Sequence, residues 1–204
     1  MYMKPFVLAS QSPRRKQLLG QLIGQETFEC IPSCANEVWI DADVDTAVLH
    51  IAKTKAKEIA DRHSKQWVLG ADTIVVDQQR ILGKPKSLEE ARQTLHKLSD
   101  HWHEVKTAVV LIAPEGVQPQ MQEAVVTTKV HFRNLSDDEI ERYVASGSPL
   151  DKAGSYGIQE VDFVDQIEGS FTNVIGLPMG LVENWVNAYF PIVQSAKMIE
   201  KNQE

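Results

Sequence analysis

The sequence predicts a mixed α/β fold, with helices packed around a sheet that contains both parallel and antiparallel pairs. Two observations lead to it. In the first half of the chain, short apolar strands alternate with helical patterns. In the middle, two long strand patterns follow one another across a Pro-Glu-Gly turn and read as an antiparallel ribbon.

Taken in order, FVLAS opens as a short strand. Ser12 then fits an N-cap and Pro13 the first helical position, ahead of Leu18, Leu19, Leu22 and Ile23 at helical spacing. TFECIP reads as a second strand, followed by an acidic loop and a helix over about Asp45 to His63, with Val48, Ile51, Ala52, Ala56 and Ile59 on one stripe. WVLGADTIVVD has the β-branched composition of a buried strand interrupted by a glycine. Ser87 and Glu90 have capping-box spacing, opening a helix that carries Leu88, Ala91, Leu95 and Leu98. HEVKTAVVLIAPEG and QEAVVTTKVHFR are the ribbon, with Val126, Thr128, Val130 and Phe132 on one face. Ser136 and Glu139 start another helix, which Gly147 can end. Gly154 to Pro178 reads as glycine-rich, with short strand fragments, and a last helix runs over about Met179 to Tyr189. No repeat or linker divides the chain, so one domain over 1–192 and a polar tail over 193–204 are expected.

The bulk properties exclude several classes. The 204 residues carry a formal charge of −7 and no basic stripe with interleaved aromatics, so no nucleic-acid partner is expected. The longest apolar run, Ala108 to Ala113, is too short to span a bilayer, and MYMKPFVLASQS lacks the apolar length of a signal peptide. A cytoplasmic protein without a membrane partner is expected. Cys30 and Cys34 have no companion cluster to complete a zinc site and read as reduced, partly buried thiols. His101 and His103 share strand spacing, which zinc could use, but strand-end histidines are the commoner finding. Ser146, Ser148, Ser155 and Ser170 lack a convincing His and acid arrangement for nucleophilic catalysis.

Ser10-Gln11-Ser12-Pro13-Arg14-Arg15 puts two arginines in a first helical turn, where the helix dipole disfavours cations. A bound anion such as phosphate would reverse that penalty; an exposed basic turn is the plain alternative. Asp72, in Gly70-Ala71-Asp72-Thr73, sits inside an apolar strand, where a carboxylate needs a partner. A metal ion, a catalytic water or turn amides would each serve. Lys84 follows a short strand in Gly83-Lys84-Pro85. Lys53, Lys55 and Lys57 point in different directions on one helix, so at most one or two can face a common site. Glu37 could bring a second carboxylate to a hard cation, with Asp41, Asp43 and Asp45 as close competitors.

In this order, FVLASQSPRR, LGADTIVV, ILGKP, VKTAVVL, LDKAGSYGIQ and VIGLP together resemble the Maf family of nucleoside triphosphate pyrophosphatases. The resemblance covers nearly the whole chain. It implies a Maf/ITPase-like fold, with an elongated mixed sheet flanked by helices and two lobes around a central cleft, assembled as a homodimer. It also implies hydrolysis of a nucleoside triphosphate to the monophosphate and pyrophosphate with Mg²⁺ or Mn²⁺. Asp72 matches the family's general base. Ser10, Arg14, Arg15, Lys55 and Lys84 match phosphate-handling positions, and Glu37 the early acid that, with Asp72, would hold the metal. Arg14, Thr73 and Gln159 match the positions that divide the family by substrate, and all three resemble the dTTP and UTP branch rather than the 7-methyl-GTP branch. The Gln159 amide offers a donor and an acceptor to the O4 and N3–H edge shared by thymine and uracil. The alternative readings are a nucleotide-binding regulator of cell division without turnover, or a pyrophosphatase for a different noncanonical nucleotide.

Overall fold

The computed structural model describes residues 4–189. Strand β1 (Phe6–Leu8) is buried along its length. It leads into helix α1 (Pro13–Ile23), whose N-cap Ser12 accepts from the Arg15 amide, with Pro13 opening the helix as predicted. Strand β2 (Phe28–Cys30) and helix α2 (Val44–Ala60) follow, then strand β3 (Trp67–Asp77), strand β4 (Arg80–Leu82) and helix α3 (Leu88–Leu98). Strands β5 (Trp102–Ile112) and β6 (Met121–Phe132) are the predicted ribbon. Helix α4 (Asp137–Ala145), strand β7 (Val164–Glu168), and helices α5 (Phe171–Ile175) and α6 (Met179–Tyr189) complete the order. Among the described residues no helix is long and apolar enough to cross a membrane.

The strands form one mixed sheet in the order β2-β1-β3-β5-β6-β7, with β4 also beside β3. The β2, β1 and β3 pairs are parallel, and all the others are antiparallel. Because side chains alternate across a strand, β3 and β5 feed opposite faces. Leu69, Ala71, Val109 and Leu111 pack with Leu18, Leu19 and Ile23 of α1 and Val182 and Val186 of α6. Val68, Ile74, Ala108 and Val110 pack with Val48, Ala52, Ala56 and Ile59 of α2. Farther along the sheet, Val75, Val105, Val130 and Phe132 meet Ala91, Leu95 and Leu98 of α3 and Ile140 and Val144 of α4. Each large side chain so buried contributes on the order of 2 kcal/mol.

Gly70 sets how closely α2 approaches β3. A Cβ there would lie 2.7 Å from the Ala56 Cβ and 3.0 Å from the Ala52 carbonyl oxygen. Only glycine lets the helix lie this close, and the approach brings Lys55 over the strand.

Three local expectations change. The second helix ends at Ala60 rather than His63, because the amides of Arg62 and His63 turn back to Ile59 and Ala60 in three-residue closures. The segment expected to hold only strand fragments contains α5, a single short turn with too few residues to show helical periodicity, capped by Ser170 Oγ accepting from the Asn173 amide. Cys34 is exposed rather than partly buried, since it lies in the loop between β2 and α2, while Cys30 on β2 is half-buried; both are free thiols. The domain boundary at 192 and the tail over 193–204 lie outside the described residues.

Candidate active site

The register of the sheet creates an opening. Strand β1 pairs with β3 only up to Leu8 and Leu69, and β4 joins the same edge only from Val75. The other edge of β3 is covered by β5 from Val68 to Val76. Between β1 and β4, residues Ala71 to Ile74 therefore face a gap. The loop after β1 enters it from one end and the Gly83-Lys84-Pro85 exit of β4 from the other. A cavity of about 660 Å³ fills this gap, and Ser10, Arg14, Arg15, Glu37, Lys55, Asp72, Thr73, Lys84 and Gln159 all line it. Every site residue expected from sequence is brought to one cleft.

On the α2 face, the Lys55 ammonium bonds to Asp72 Oδ1 and to Glu37 Oε1, each at 2.7 Å. The two carboxylates thus lie within twice that distance of each other. Lys55 is selected from its neighbours by geometry: Lys53 pairs with Glu123 at 2.7 Å, and Lys57 is exposed on another side of the helix. Glu37 is selected in the same way. Glu58 on α2 accepts from Ser33 Oγ at 2.5 Å and from the amides of Cys34 and Ala35, pinning the loop that carries Glu37. Of the competing acids, Asp43 caps α2, Asp45 pairs with Lys106 at 2.9 Å and Asp41 is exposed. The hydrogen bond from Lys55 holds the Glu37 carboxyl below its usual range against the opposing effect of burial, and the charges of Lys55, Lys84 and Arg15 add to it.

On the opposite face, Arg15 is spent on the protein itself. Its Nε donates to the Gly176 carbonyl at 2.8 Å, one terminal nitrogen to Thr73 Oγ1 at 2.9 Å and the other, at 3.5 Å, to Ser10 Oγ. Burial lowers its pKa, partly offset by the Asp72 charge. Arg14, one residue earlier, is held more loosely, with a terminal nitrogen 4.0 Å from Glu160 Oε1. Lys84 and Gln159 are exposed at the rim.

Sequence reasoning missed Lys152 and Glu160, which line the same cavity. Lys152 is only 6% exposed. Its ammonium meets the Ser148 carbonyl and Asp151 Oδ1, each at 2.7 Å, Ser148 Oγ at 3.0 Å and Glu160 Oε2 at 3.1 Å. The signal was the DK pair of LDKAGSYGIQ, whose partners Ser148, Asp151 and Glu160 all lie within eight residues of Lys152. His103 is no metal ligand: its Nε2 lies 2.8 Å from the Tyr156 hydroxyl in a buried aromatic cluster, while His101 is exposed beside the Ser99 carbonyl. Among the described residues, no group of three or more His, Cys, Asp or Glu side chains could hold a metal. Glu37 and Asp72 are a two-carboxylate set, which suits Mg²⁺ when substrate phosphates and water complete the shell.

The arrangement offers a paired-carboxylate centre beside a helix N-terminus and several cations, a layout suited to polyphosphate. Comparison with known proteins bears on it directly. The model of Maf-like proteins matches residues 5–189. A dTTP/UTP pyrophosphatase of Halalkalibacterium halodurans is 46% identical over 180 residues, covering 87% of this chain and 92% of the relative. One from Desulfotalea psychrophila is 40% identical over 193 residues, covering 93% and 96%. In fold, the chain is similar to the solved Ham1 protein of Staphylococcus aureus, with a TM-score of 0.50 at 12% identity, covering 90% of this chain and 98% of that one.

Proposed function

Because the chain belongs to the family of Maf-like proteins, we propose that it is a nucleoside triphosphate pyrophosphatase that hydrolyses dTTP and UTP to the monophosphate and pyrophosphate. The relatives that carry this name match it over most of their length. The observation that carries the mechanism is the Glu37–Lys55–Asp72 bridge, set in the same cavity as Arg14, Lys84 and the N-terminus of α1.

In this reading the triphosphate lies along the gap in the β3 edge. Arg14 and Lys84 bind its oxygens, and the first-turn amides of α1 add their partial positive charge. Lys55 engages Asp72 through Oδ1, leaving Oδ2 to accept a proton from, or orient, the water that attacks the α-phosphorus. Lys55 is then placed to offset negative charge as the bond to the leaving pyrophosphate lengthens. Glu37 and Asp72 would hold Mg²⁺ or Mn²⁺, which supplies Lewis-acid neutralisation of the phosphate oxygens when bound. Arg15, fixed by three internal acceptors, shapes the floor and extends its charge to the site. At the rim, Gln159 presents its amide to the base; Arg14 and Thr73 line the same cavity.

The test is product identification with Mg²⁺ or Mn²⁺ across canonical and modified triphosphates. UMP and dTMP should appear together with pyrophosphate, and Asp72→Asn should still bind triphosphate but lose about 10²- to 10⁴-fold in turnover, the usual contribution of a positioned base. Release of diphosphate and orthophosphate, a strong preference for purines, or full activity in the Asn variant would overturn the proposal.

A further inference from the structure

Three donors in the wall of the cleft converge on one carboxylate oxygen. Glu160 lines the cavity, and its Oε2 accepts from Ser148 Oγ at 2.5 Å and from the Tyr143 hydroxyl at 3.3 Å, with the Lys152 ammonium at 3.1 Å. The backbone fixes the same residue. Its amide donates to the Gly157 carbonyl at 2.8 Å, and the Gly157 amide donates to the Tyr143 hydroxyl at 3.2 Å. A Cβ on Gly157 would lie 2.8 Å from Lys152 Cε and 3.1 Å from Glu160 Cδ, so this turn packs directly against the ion pair. Against the effect of burial, the bonds from Ser148 and Lys152 hold the Glu160 carboxyl below its usual range. The carboxylate is charged at neutral pH and cannot wander.

The other oxygen, Oε1, has Arg14 as its charged neighbour, with a terminal nitrogen at 4.0 Å. That is too long for a hydrogen bond, so charge attraction acts here without the two-bond fork that would lock a guanidinium in place. Lys152 stands between two carboxylates, Asp151 and Glu160. The group therefore carries one more negative charge than positive, and Arg14 supplies the balance. Because the internal donors hold Oε2, Glu160 cannot follow Arg14 when the guanidinium turns toward another anion.

We infer that Glu160 is a positioning residue that acts on the substrate through Arg14: its carboxylate competes with the phosphates for the Arg14 guanidinium, and so weakens triphosphate binding without entering the chemistry. The inference rests on the reading of Arg14 as a phosphate ligand given above. Glu160→Gln keeps the shape of the side chain and removes its charge at an exposed position, while Lys152 retains the Ser148 carbonyl and Asp151.

The experiment measures, by calorimetry with Mg²⁺, the Kd of α,β-methylene-UTP, in which a carbon replaces the oxygen that bridges the α and β phosphorus atoms. The proteins are the wild type, Glu160→Gln, Arg14→Gln and the double variant. Steady-state kcat and KM for UTP are measured beside it, and kcat/KM closes the same cycle where binding is too weak for calorimetry. Glu160→Gln should lower Kd and KM by about two- to fivefold, the scale of an exposed ion pair, with kcat unchanged. In the Arg14→Gln background the same substitution should change neither Kd nor kcat/KM appreciably, because the contact it removes is already gone. An unchanged or raised Kd in Glu160→Gln overturns the inference. So does an equal fall in both backgrounds, which would make Glu160 a source of general repulsion, and so does a loss of kcat, which would make it part of the chemistry. Each of these leaves the proposed function standing. A wild type that binds the analogue but releases no pyrophosphate from UTP removes that function, while the binding cycle still decides the role of Glu160.

Discussion

Replacing Arg15 by lysine separates a phosphate ligand from an internal clamp. Lysine keeps the charge, so attraction for a polyanion persists, but it has one nitrogen where arginine has a rigid fork. The guanidinium makes two well-formed bonds, to Gly176 at 2.8 Å and to Thr73 at 2.9 Å, and a longer one to Ser10 at 3.5 Å. An ammonium can replace one of the two good bonds. The other is lost, and a hydrogen bond to a charged group contributes about 1.5–3 kcal/mol. For a domain of this size that corresponds to a fall in Tm of roughly 4–10 °C. Thermal melts followed by tryptophan fluorescence, run beside UTP saturation curves, check it. The clamp account expects the lowered Tm together with reduced kcat, because α1, β3 and the Gly176 turn lose their common tie. A variant that melts within about 2 °C of the wild type but shows a raised KM for UTP would refute it and make Arg15 a direct phosphate ligand.

Two further outcomes follow from the same geometry. Lys55→Met removes the cation between Glu37 and Asp72; turnover should fall by about a hundredfold, while the Mg²⁺ concentration for half-maximal activity should decrease, because the bare carboxylate pair attracts a dication more strongly. A metal requirement that rises instead would separate these carboxylates from the metal site. His103 is 2% exposed, and burial pushes its pKa down from 6.5 to about 4. The unfolded chain therefore takes up a proton that the native chain refuses between those values, so the stability is fully present above pH 6.5 and is lost as pH falls toward 4. The span corresponds to about 3 kcal/mol. Urea unfolding of the wild type and His103→Phe from pH 7 to 4 checks it: the variant carries a constant offset, and the difference between the two should shrink by about that amount on acidification.

What the sequence disclosed and what it withheld divide along the range of the forces involved. Ser12 as N-cap and Pro13 as first helical residue were legible because capping is settled within four residues. The alternation of β3, β5 and β6 was legible because a strand buries every second side chain. Arg14, Asp72, Thr73, Lys84 and Gln159 stood in short recognisable segments, and the fold brings those segments to one gap. The role of Arg15 was not legible, since its best acceptor is Gly176, 161 positions away, and beside Arg14 it looks like a second copy of the same function. Glu37 could not be told from Asp41, Asp43 and Asp45 because the choice is made by Glu58 gripping the preceding loop.

In the proposed reading, a dication would complete the charge balance around Glu37 and Asp72. Lys55 is shared between two carboxylates, which leaves that triad with a net negative charge. Arg15 is committed to internal acceptors, and Arg14 is drawn toward Glu160 at 4.0 Å. Among the described residues Lys84 alone of the candidate cations has neither an ion pair nor an internal acceptor. Glu37 and Asp72 by themselves would repel a triphosphate brought beside them. If Glu37 and Asp72 held a divalent ion, as proposed, its charge would offset theirs, and the pair would serve as a ligand set beside the phosphates. On that reading, the acidic pair would make nucleotide binding depend on the metal.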